Sequence, residues 1–328
     1  MNKILITGAS GFVGSWLVEE ALNHDIAVYA GIRSTSSKQW LQDDRIQFVE
    51  LNFSNQESLE EVIGEYQFDY IIHNAGLTKS LKASDLFKVN VDYSVNLAKA
   101  SLKNKCLKKF SFMSSLAAYG TADYQDDGVV SNNSTPTPIT SYGKSKLRAE
   151  EELLNINELP LLIFRPTGIF GPREGDFLNL FQTINKGLAL QVGFTEQQLS
   201  LVYVKDLVRV IMDATLSDIS NQSYFVSDGN LYAGSKFNRI VAESLGKKPW
   251  KLKLPLPLVT AIATLSDISS SITGKANILS RDKLPEIRSR NMDCDIANLV
   301  QDFDFKPEYS LDDAIQETAD WYKDNDWL

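Results

Sequence analysis

The stretch Lys3-Ile-Leu-Ile-Thr-Gly-Ala-Ser-Gly-Phe-Val-Gly14 decides the fold that we predict for this chain. Its first four residues predict a short buried strand, and residues 12–23 predict a helix with one apolar face. Gly8 suits a tight turn, Gly11 lets the backbone approach a phosphate, and Gly14 lets the helix pack near the strand. The helix N-terminus adds N–H groups and a positive dipole end for an anion. The alternative is an ordinary strand–helix turn that binds no ligand.

The rest of the chain continues this alternation of strands and helices. We predict strands at 26–32, 46–51, 70–73, 109–113 and 161–164, and helices at 56–66, 85–103 and 141–155. The alternation predicts an α/β fold with a doubly wound (Rossmann) parallel sheet. After about residue 170 the pattern loosens. We therefore assign 1–170, together with about 200–230, to a dinucleotide-binding domain, and 171–328 mainly to a smaller, interleaved substrate-binding region.

Composition narrows the classes of function. The formal net charge of −9 argues against a nucleic-acid-binding protein and fits one with a small-molecule ligand. Cys106 and Cys294 lie far apart with no metal-type spacing, so we expect free thiols in a reducing compartment. We see no secretory signal and no apolar run long enough for a membrane span. The sequence therefore predicts a cytoplasmic protein without a bound metal, a nucleic-acid partner or a membrane partner.

The segment 252–272 is the most apolar part of the chain's second half. It is interrupted by Pro255, Pro257 and Asp267. We therefore predict the end of a strand followed by an amphipathic helix, which lines a substrate pocket.

Arg33 ends the second predicted strand, nineteen residues after Gly14. At this place a dinucleotide-binding fold carries an acidic residue for a ribose 2′-hydroxyl or an arginine for a 2′-phosphate. No acid is near, and Ser36 and Lys38 offer further donors. The pattern favours NADP over NAD as the cofactor. The alternative is a solvated loop arginine.

Tyr142 and Lys146 are four residues apart on a predicted helix, so they share one face. A tyrosine with an ordinary pKa near 10 is a poor base at neutral pH. A neighbouring ammonium stabilises the phenolate and is expected to lower the pKa of Tyr142. The tyrosine then exchanges a proton with a substrate hydroxyl or carbonyl while hydride moves to or from a nicotinamide.

Ser115 ends the fifth predicted strand, at the carboxyl edge of the sheet. A hydroxyl there can hold a substrate oxygen beside the phenol. Ser114 is the alternative, and for each serine the simpler role is to cap backbone at a strand end.

Together these segments resemble the extended short-chain dehydrogenase/reductase superfamily, in its NAD-dependent epimerase/dehydratase branch. Besides the glycine stretch, the resemblance rests on His73-Asn-Ala-Gly76, Met113-Ser-Ser-Leu-Ala-Ala-Tyr-Gly120, Tyr142-Gly-Lys-Ser-Lys146, Arg165-Pro-Thr-Gly-Ile-Phe-Gly-Pro172 and Val202-Tyr-Val-Lys-Asp206. It covers nearly the whole chain. The segment 30–34 and the C-terminal region around Gly274-Lys275 and Arg281-Asp282-Lys283 look most like dihydroflavonol reductase and 3β-hydroxysteroid dehydrogenase members.

The resemblance implies a catalytic set and a cofactor site. The implied catalytic set is Ser115, Tyr142 and Lys146, and Tyr142 and Lys146 are also expected to contact the cofactor. The other implied contacts are Gly8, Gly11, Phe12, Val13, Gly14, Ala75 and Pro166. Where the superfamily holds adenine with an acid, this chain has Asn52 followed by Phe53. The resemblance also implies a homodimer through the helices 85–103 and 141–155.

Asn90 lies where the superfamily often has an asparagine near the active site. A proton-relay role is one interpretation of Asn90. The other is an interior asparagine that satisfies backbone groups.

Three functions follow from these observations. The first is an NADP-dependent oxidoreductase that transfers hydride between nicotinamide and a carbonyl or secondary alcohol. The second is a sugar-nucleotide epimerase or dehydratase with tightly bound NAD, which would need a basic subpocket for a diphosphate. The third is a nucleotide-binding protein without catalysis.

Overall fold

The computed structural model describes residues 1–124, 128–273 and 280–328, which fold around a seven-stranded parallel sheet. The strands in chain order are β1 (Asn2–Thr7), β2 (Ile26–Ile32), β3 (Gln47–Glu50), β4 (Tyr70–His73), β5 (Lys109–Met113), β6 (Leu161–Pro166), β7 (Gly168–Phe170), β8 (Leu188–Val192), β9 (Gln198–Tyr203), β10 (Gln222–Val226), β11 (Leu231–Ala233) and β12 (Trp250–Leu254). The large sheet has the order β10-β6-β5-β4-β1-β2-β3, and all its pairs are parallel. The predicted doubly wound α/β fold is confirmed.

Helices cover both faces of this sheet. In chain order they are α1 (Phe12–Ala21), α2 (Gln56–Tyr66), α3 (Ala83–Phe87), α4 (Tyr93–Ser101), α5 (Ser141–Leu154), α6 (Leu178–Asn185), α7 (Val204–Leu216), α8 (Gly234–Ser244), α9 (Leu256–Thr273), α10 (Leu284–Arg288), α11 (Ala297–Phe303) and α12 (Leu311–Asp324). One core layer includes residues of α1 and α7, and the other includes residues of α2, α4 and α5. Every residue of β4 and β5 is buried, as expected for central strands of a parallel sheet.

The predicted helix 85–103 is interrupted. It consists of α3, a π-helical segment Lys88–Asp92 and α4. Single π-helical turns inside α-helices are frequently found at functional sites, and this segment includes Asn90.

Two smaller sheets lie outside the main one, with the orders β11-β9-β7 and β12-β8. They contain most of the strands that the sequence did not predict, among them β7 and β8. These strands are three and five residues long, too short for a clear alternation of apolar and polar residues. The predicted strand end and helix at 252–272 correspond to β12 and α9.

The chain reverses direction across the sheet between β1 and β4, the neighbours at its centre. A ligand site is expected at such a switch point, beyond the carboxyl ends of the strands. No helix among the described residues is long and apolar enough to span a bilayer.

Candidate active site

The glycine turn between β1 and α1 has the geometry expected from the sequence. Gly8 has a φ of +65°, and its carbonyl accepts a hydrogen bond from the N–H of Gly11 at 3.0 Å. A Cβ on Gly14 would lie 2.0 Å from the Gly8 oxygen, so only glycine permits this approach of helix and strand. Gly11 is exposed at the N-cap of α1. The turn therefore presents bare backbone, followed by Phe12 and Val13, at a helix N-terminus, which fits the phosphates of a dinucleotide.

The ends of β1 and β4 are joined by a buried hydrogen-bonded chain. The Thr7 hydroxyl bonds to Nδ1 of His73 at 2.8 Å and accepts the Ala75 N–H at 3.1 Å. Nε2 of His73 bonds to Ser94 at 2.9 Å. Burial, followed by the charge of Lys146, lowers the pKa of His73 to about 3. A neutral imidazole with both nitrogens bonded has a structural role, and it holds Ala75 beside Gly8.

Ser115 and Tyr142 face one cavity. It has a volume of about 870 Å³ and is also lined by Pro166 at the end of β6. The Ser115 side chain hydrogen-bonds to Tyr142, which stabilises the phenolate. Its oxygen also accepts the Ala117 N–H at 3.2 Å, so Ser115 caps backbone as well. The structure thus brings two members of the predicted catalytic set to one surface.

Lys146 lies below that surface, and its ammonium donates to the Met113 carbonyl at 2.7 Å. Burial lowers the pKa of Lys146 to about 8. A Cβ on Gly76 would approach Nζ of Lys146 to 3.4 Å, so the Gly76 backbone lies close to this ammonium.

The expectation of a lowered pKa for Tyr142 is wrong for the protein chain itself. Burial raises the pKa of Tyr142 to about 12, because desolvation outweighs the hydrogen bond from Ser115. The nearby Glu286 carboxylate raises it further. Tyr142 is therefore a neutral phenol in this structure.

Ser114 has a different task from Ser115. Its hydroxyl donates to Glu150, which also forms a buried ion pair with Arg165 at 2.7 Å. The structure therefore favours Ser115 over Ser114 as the serine available to a substrate.

Asn90 is fully buried and occupied by structural hydrogen bonds. Its Oδ1 accepts the Leu77 N–H at 2.8 Å, and its Nδ2 donates to the Leu77 carbonyl and to Ser145, both at 2.9 Å. These bonds fit the interpretation in which Asn90 satisfies backbone groups.

The residues assigned to the adenosine end lie away from this cavity. Arg33 is exposed just after β2. Oδ1 of Asn52 already accepts two bonds from Ser54, at 3.2 and 2.7 Å, which weakens the case for an adenine contact. Phe53 packs against Tyr93, with a ring-centroid distance of 6.1 Å.

Sequence analysis singled out Asp282 only for a resemblance to reductases, and it did not place Asp282 or Glu286 beside Tyr142. Glu286 on α10 accepts from Thr140, the N-cap of α5, at 3.2 Å, and Asp282 accepts from the backbone and hydroxyl of Ser141. These carboxylates are about 140 positions further along the chain, so no local pattern could have revealed them. The segment 280–288 thus holds the start of α5 in place. Gly274 and Lys275 lie outside the described residues.

A second cavity of about 860 Å³ adjoins the first. The two share five lining residues, namely Gly168, Ser200, Lys283, Glu286 and Met292. Its interior is mostly apolar, with Phe177, Leu201 and Phe237 among its walls. The sequence prediction of a pocket lined by the 252–272 segment is borne out in part, since Leu252 and Lys253 line this cavity and Asp267 lines the first.

Comparisons with known proteins agree with this geometry. A model of the NAD dependent epimerase/dehydratase family matches residues 4–224. UDP-glucose 4-epimerase of Vibrio cholerae is 27% identical, covering 97% of this chain and 94% of that protein. Ceramide reductase of Caulobacter vibrioides is 25% identical, covering 99% and 96%. The structure of UDP-glucose 4-epimerase with UDP-glucose from Thermotoga maritima has a TM-score of 0.79 at 20% identity, covering 98% and 99%, and shows the shared fold.

Proposed function

Because the chain belongs to the NAD-dependent epimerase/dehydratase family, we propose that it is a sugar-nucleotide epimerase or dehydratase that works with bound NAD. The relatives are enzymes, which sets aside a nucleotide-binding protein without catalysis. The observation that carries the proposal is the meeting of Ser115 and Tyr142 in a cavity that continues into a second one.

In the proposed site the protein positions a substrate hydroxyl and moves its proton. Ser115 hydrogen-bonds to the reacting oxygen and holds it beside Tyr142. The Tyr142 hydroxyl exchanges the proton with that oxygen, and the hydrogen bond from Ser115 stabilises the phenolate when it forms. A bound nicotinamide dinucleotide would supply the hydride acceptor and donor. The glycine turn with Phe12 and Val13, together with Ala75, Tyr142, Lys146 and Pro166, would hold it.

The junction of the two cavities supports a diphosphate-linked sugar as substrate. Three basic side chains line the first cavity. Lys79 and Arg281 are neutralised by ion pairs with acids, at 3.1 and 2.8 Å. Lys283 forms no salt bridge within the described part of the chain, and it lies where the cavities meet. We assign the diphosphate to Lys283 and the sugar to the first cavity.

The test is Tyr142→Phe, assayed on a panel of nucleotide sugars by NMR of the products. We expect the wild type to interconvert or dehydrate one of them without net change in nicotinamide absorbance. The variant should lose roughly 10²–10⁴-fold in kcat, the usual worth of a positioned acid/base, and keep its nucleotide affinity. Undiminished turnover of Tyr142→Phe would refute the assigned role.

A second candidate is an NADP-dependent oxidoreductase with net hydride transfer to a carbonyl. Arg33 favours it, because an exposed arginine after β2 suits a 2′-phosphate. Nucleotide released from the denatured protein separates the candidates. Release of stoichiometric NAD supports the epimerase or dehydratase. Reversible binding of NADPH to the wild type, together with much weaker NADPH binding by Arg33→Ala, supports the oxidoreductase.

We also propose that the protein works in the cytoplasm as a homodimer. Both cysteines are free thiols in the structure. The α4 and α5 region carries exposed Leu102 and Leu154, which suit an interface between two copies. The division into a dinucleotide-binding domain at 1–170 and a substrate-binding region at 171–328 stays a prediction.

A further inference from the structure

Exposed apolar side chains concentrate on one part of the molecule. Of the sixteen large hydrophobic residues that are exposed in the described part of the chain, eight lie on β8, β12, α9 and the turn after β8. We call these eight the Trp250 surface: Leu188, Phe194, Trp250, Leu252, Leu256, Leu258, Ile262 and Leu265. Trp250 is 82% exposed, Phe194 73% and Leu265 65%. Apolar patches of this kind on a folded chain mark an interaction site.

The backbone makes this surface continuous. Trp250 and Leu252 lie beside Leu188 and Leu190 in the parallel register of β12 and β8. Since successive side chains of a strand alternate, these four project on the same face. The N–H of Gly193 bonds to the Leu254 carbonyl at 2.8 Å, which brings the turn carrying Phe194 to the start of α9.

The helix α9 adds a second stripe. Val259 and Ala263 are buried against Leu284, whereas Leu258, Ile262 and Leu265 are exposed on the opposite side. These three are spaced by four and three residues, so they form one outward row. A helix that is apolar on its outer side has a further partner.

Lysines flank the same segment. Lys247 and Lys248 precede β12, whereas Lys251 and Lys253 alternate with its apolar residues and project on the opposite face of the strand. Hydrogen bonds from Ser235, followed by the charges of Lys253 and Lys251, lower the pKa of the nearby Glu196 carboxyl. A cluster of four lysines on a chain with net charge −9 points to an anionic partner.

A second copy of the chain is a poor occupant for this surface. β12 is an edge strand, and it carries two lysines between Pro249 and Pro255, features that oppose pairing with another strand. In a two-fold interface the same patch meets itself, so the positive charges of these lysines would lie on both sides of one contact.

We propose that the Trp250 surface docks the protein on the anionic face of a lipid bilayer. Leucine, phenylalanine and tryptophan side chains enter the headgroup boundary, and lysines beside them contact acidic headgroups. The second cavity is lined by Leu252 of this surface and by its neighbours Lys251 and Lys253, so docking sets a mostly apolar cavity against the membrane. This revises the sequence-based expectation of no membrane partner, and it does not depend on the proposed function.

The test is sedimentation of the purified full chain with vesicles of phosphatidylcholine, with and without phosphatidylglycerol, at low and high salt. We expect binding only to the anionic vesicles, and release at high salt because exposed charges are screened. No sedimentation with anionic vesicles at low salt overturns the proposal. Self-association without lipid that Trp250→Ser abolishes also overturns it, in favour of a second copy.

A charge variant with a matched control tests the location of the contact. Each lysine near an anionic surface contributes a factor of about five, so Lys247→Gln with Lys248→Gln should weaken vesicle binding about 25-fold. The control is Lys103→Gln with Lys105→Gln, two exposed lysines after α4. An equal loss in the control would show unspecific charge attraction and overturn the proposal.

Tryptophan fluorescence tests insertion directly. Trp250 is exposed, and the four other tryptophans are partly buried. We expect anionic vesicles to shift the emission to the blue in the wild type but not in Trp250→Phe, which keeps an aromatic ring and should still sediment. A blue shift of the emission that persists in Trp250→Phe would overturn the proposed contact of Trp250 with the bilayer.

Discussion

At the scale of single residues, the site depends on two adjacent serines with different partners. Ser114 turns to the buried Glu150–Arg165 pair, whereas Ser115 faces the cavity with Tyr142. Neighbouring side chains in extended backbone point to opposite sides, so the strand end separates a bracing serine from a substrate-facing one. Ser114 links the end of β5 to α5 through its hydrogen bond to Glu150, which lies one turn after Lys146 on that helix.

Alanine substitutions at the two serines should therefore differ in kind. Ser115→Ala should lower kcat by about 10²-fold, as loss of a donor at the reacting oxygen does, and lower the free energy of unfolding by no more than about 1 kcal/mol, through loss of the cap on the Ala117 N–H. Ser114→Ala should lower that free energy by about 1–3 kcal/mol, because Glu150 loses a buried partner. Steady-state kinetics and urea unfolding of both variants check this, and the reverse pattern would assign the catalytic role to Ser114.

His73 should make stability depend on pH. The unfolded chain protonates His73 below its ordinary pKa of 6.5, but the folded protein does so only near pH 3. The unfolded state thus binds more protons between these values, and stability falls by about 1.4 kcal/mol per pH unit as pH decreases through this range.

The measurement is urea unfolding at several pH values for the wild type and His73→Gln. The difference between the two slopes isolates this histidine from the carboxylates. An unchanged slope in His73→Gln would mean that the imidazole is protonated in the folded protein.

At the scale of elements, close contacts at helix ends arrange the site. α1 starts on the glycine turn, and α5 starts on Thr140 and on the carboxylates of Asp282 and Glu286. The first contact is local in sequence, whereas the second joins the catalytic helix to a segment near the C-terminus. The start of α1 and its contacts could therefore both be predicted from the sequence. The start of α5 could be predicted as well, but its contacts with Asp282 and Glu286 could not.

The same substitution should have opposite effects in two helices. Gly14→Ala places a Cβ 2.0 Å from the Gly8 carbonyl oxygen and should destabilise the fold by about 3 kcal/mol or more. Gly64 in α2 is exposed, with no described atom within 4 Å of an added Cβ. Gly64→Ala should stabilise by about 0.5–1 kcal/mol, because alanine loses less backbone entropy in a helix.

Thermal unfolding of Gly14→Ala and Gly64→Ala measures the change in stability that each substitution causes. A well-folded Gly14→Ala with wild-type stability would show that α1 can shift away from the turn. The dinucleotide site would then tolerate a looser approach of helix and strand than the structure shows.

At the scale of the whole molecule, the substrate site is assembled from distant parts of the chain. The carboxyl edge of the large sheet supplies Ser115 and Pro166, and the segment 280–292 closes the cavity with Lys283 and Glu286. The second cavity lies between the small sheet β12-β8 and α8. The residues that line the two cavities are therefore spread from Thr78 to Met292 along the chain.

Lys283 should act on binding rather than on chemistry. Lys283→Ala should raise KM for a nucleotide sugar about tenfold or more, the worth of one charge-assisted hydrogen bond, with kcat little changed. Lys103→Ala, at an exposed lysine remote from the cavities, is the control and should change neither constant. A fall in kcat at constant KM would place Lys283 at the reacting atoms instead.

The sequence by itself determined the parallel sheet and the glycine turn, and it predicted Ser115, Tyr142 and Lys146 as a catalytic set, since these depend on periodicity and on short motifs. The tertiary structure decided the raised pKa of Tyr142, the choice between Ser114 and Ser115, and the structural role of Asn90. It also decided the second cavity and the Trp250 surface. These properties follow from desolvation, from hydrogen-bond partners and from exposure, which depend on residues far apart in the chain and have no signature in a local pattern.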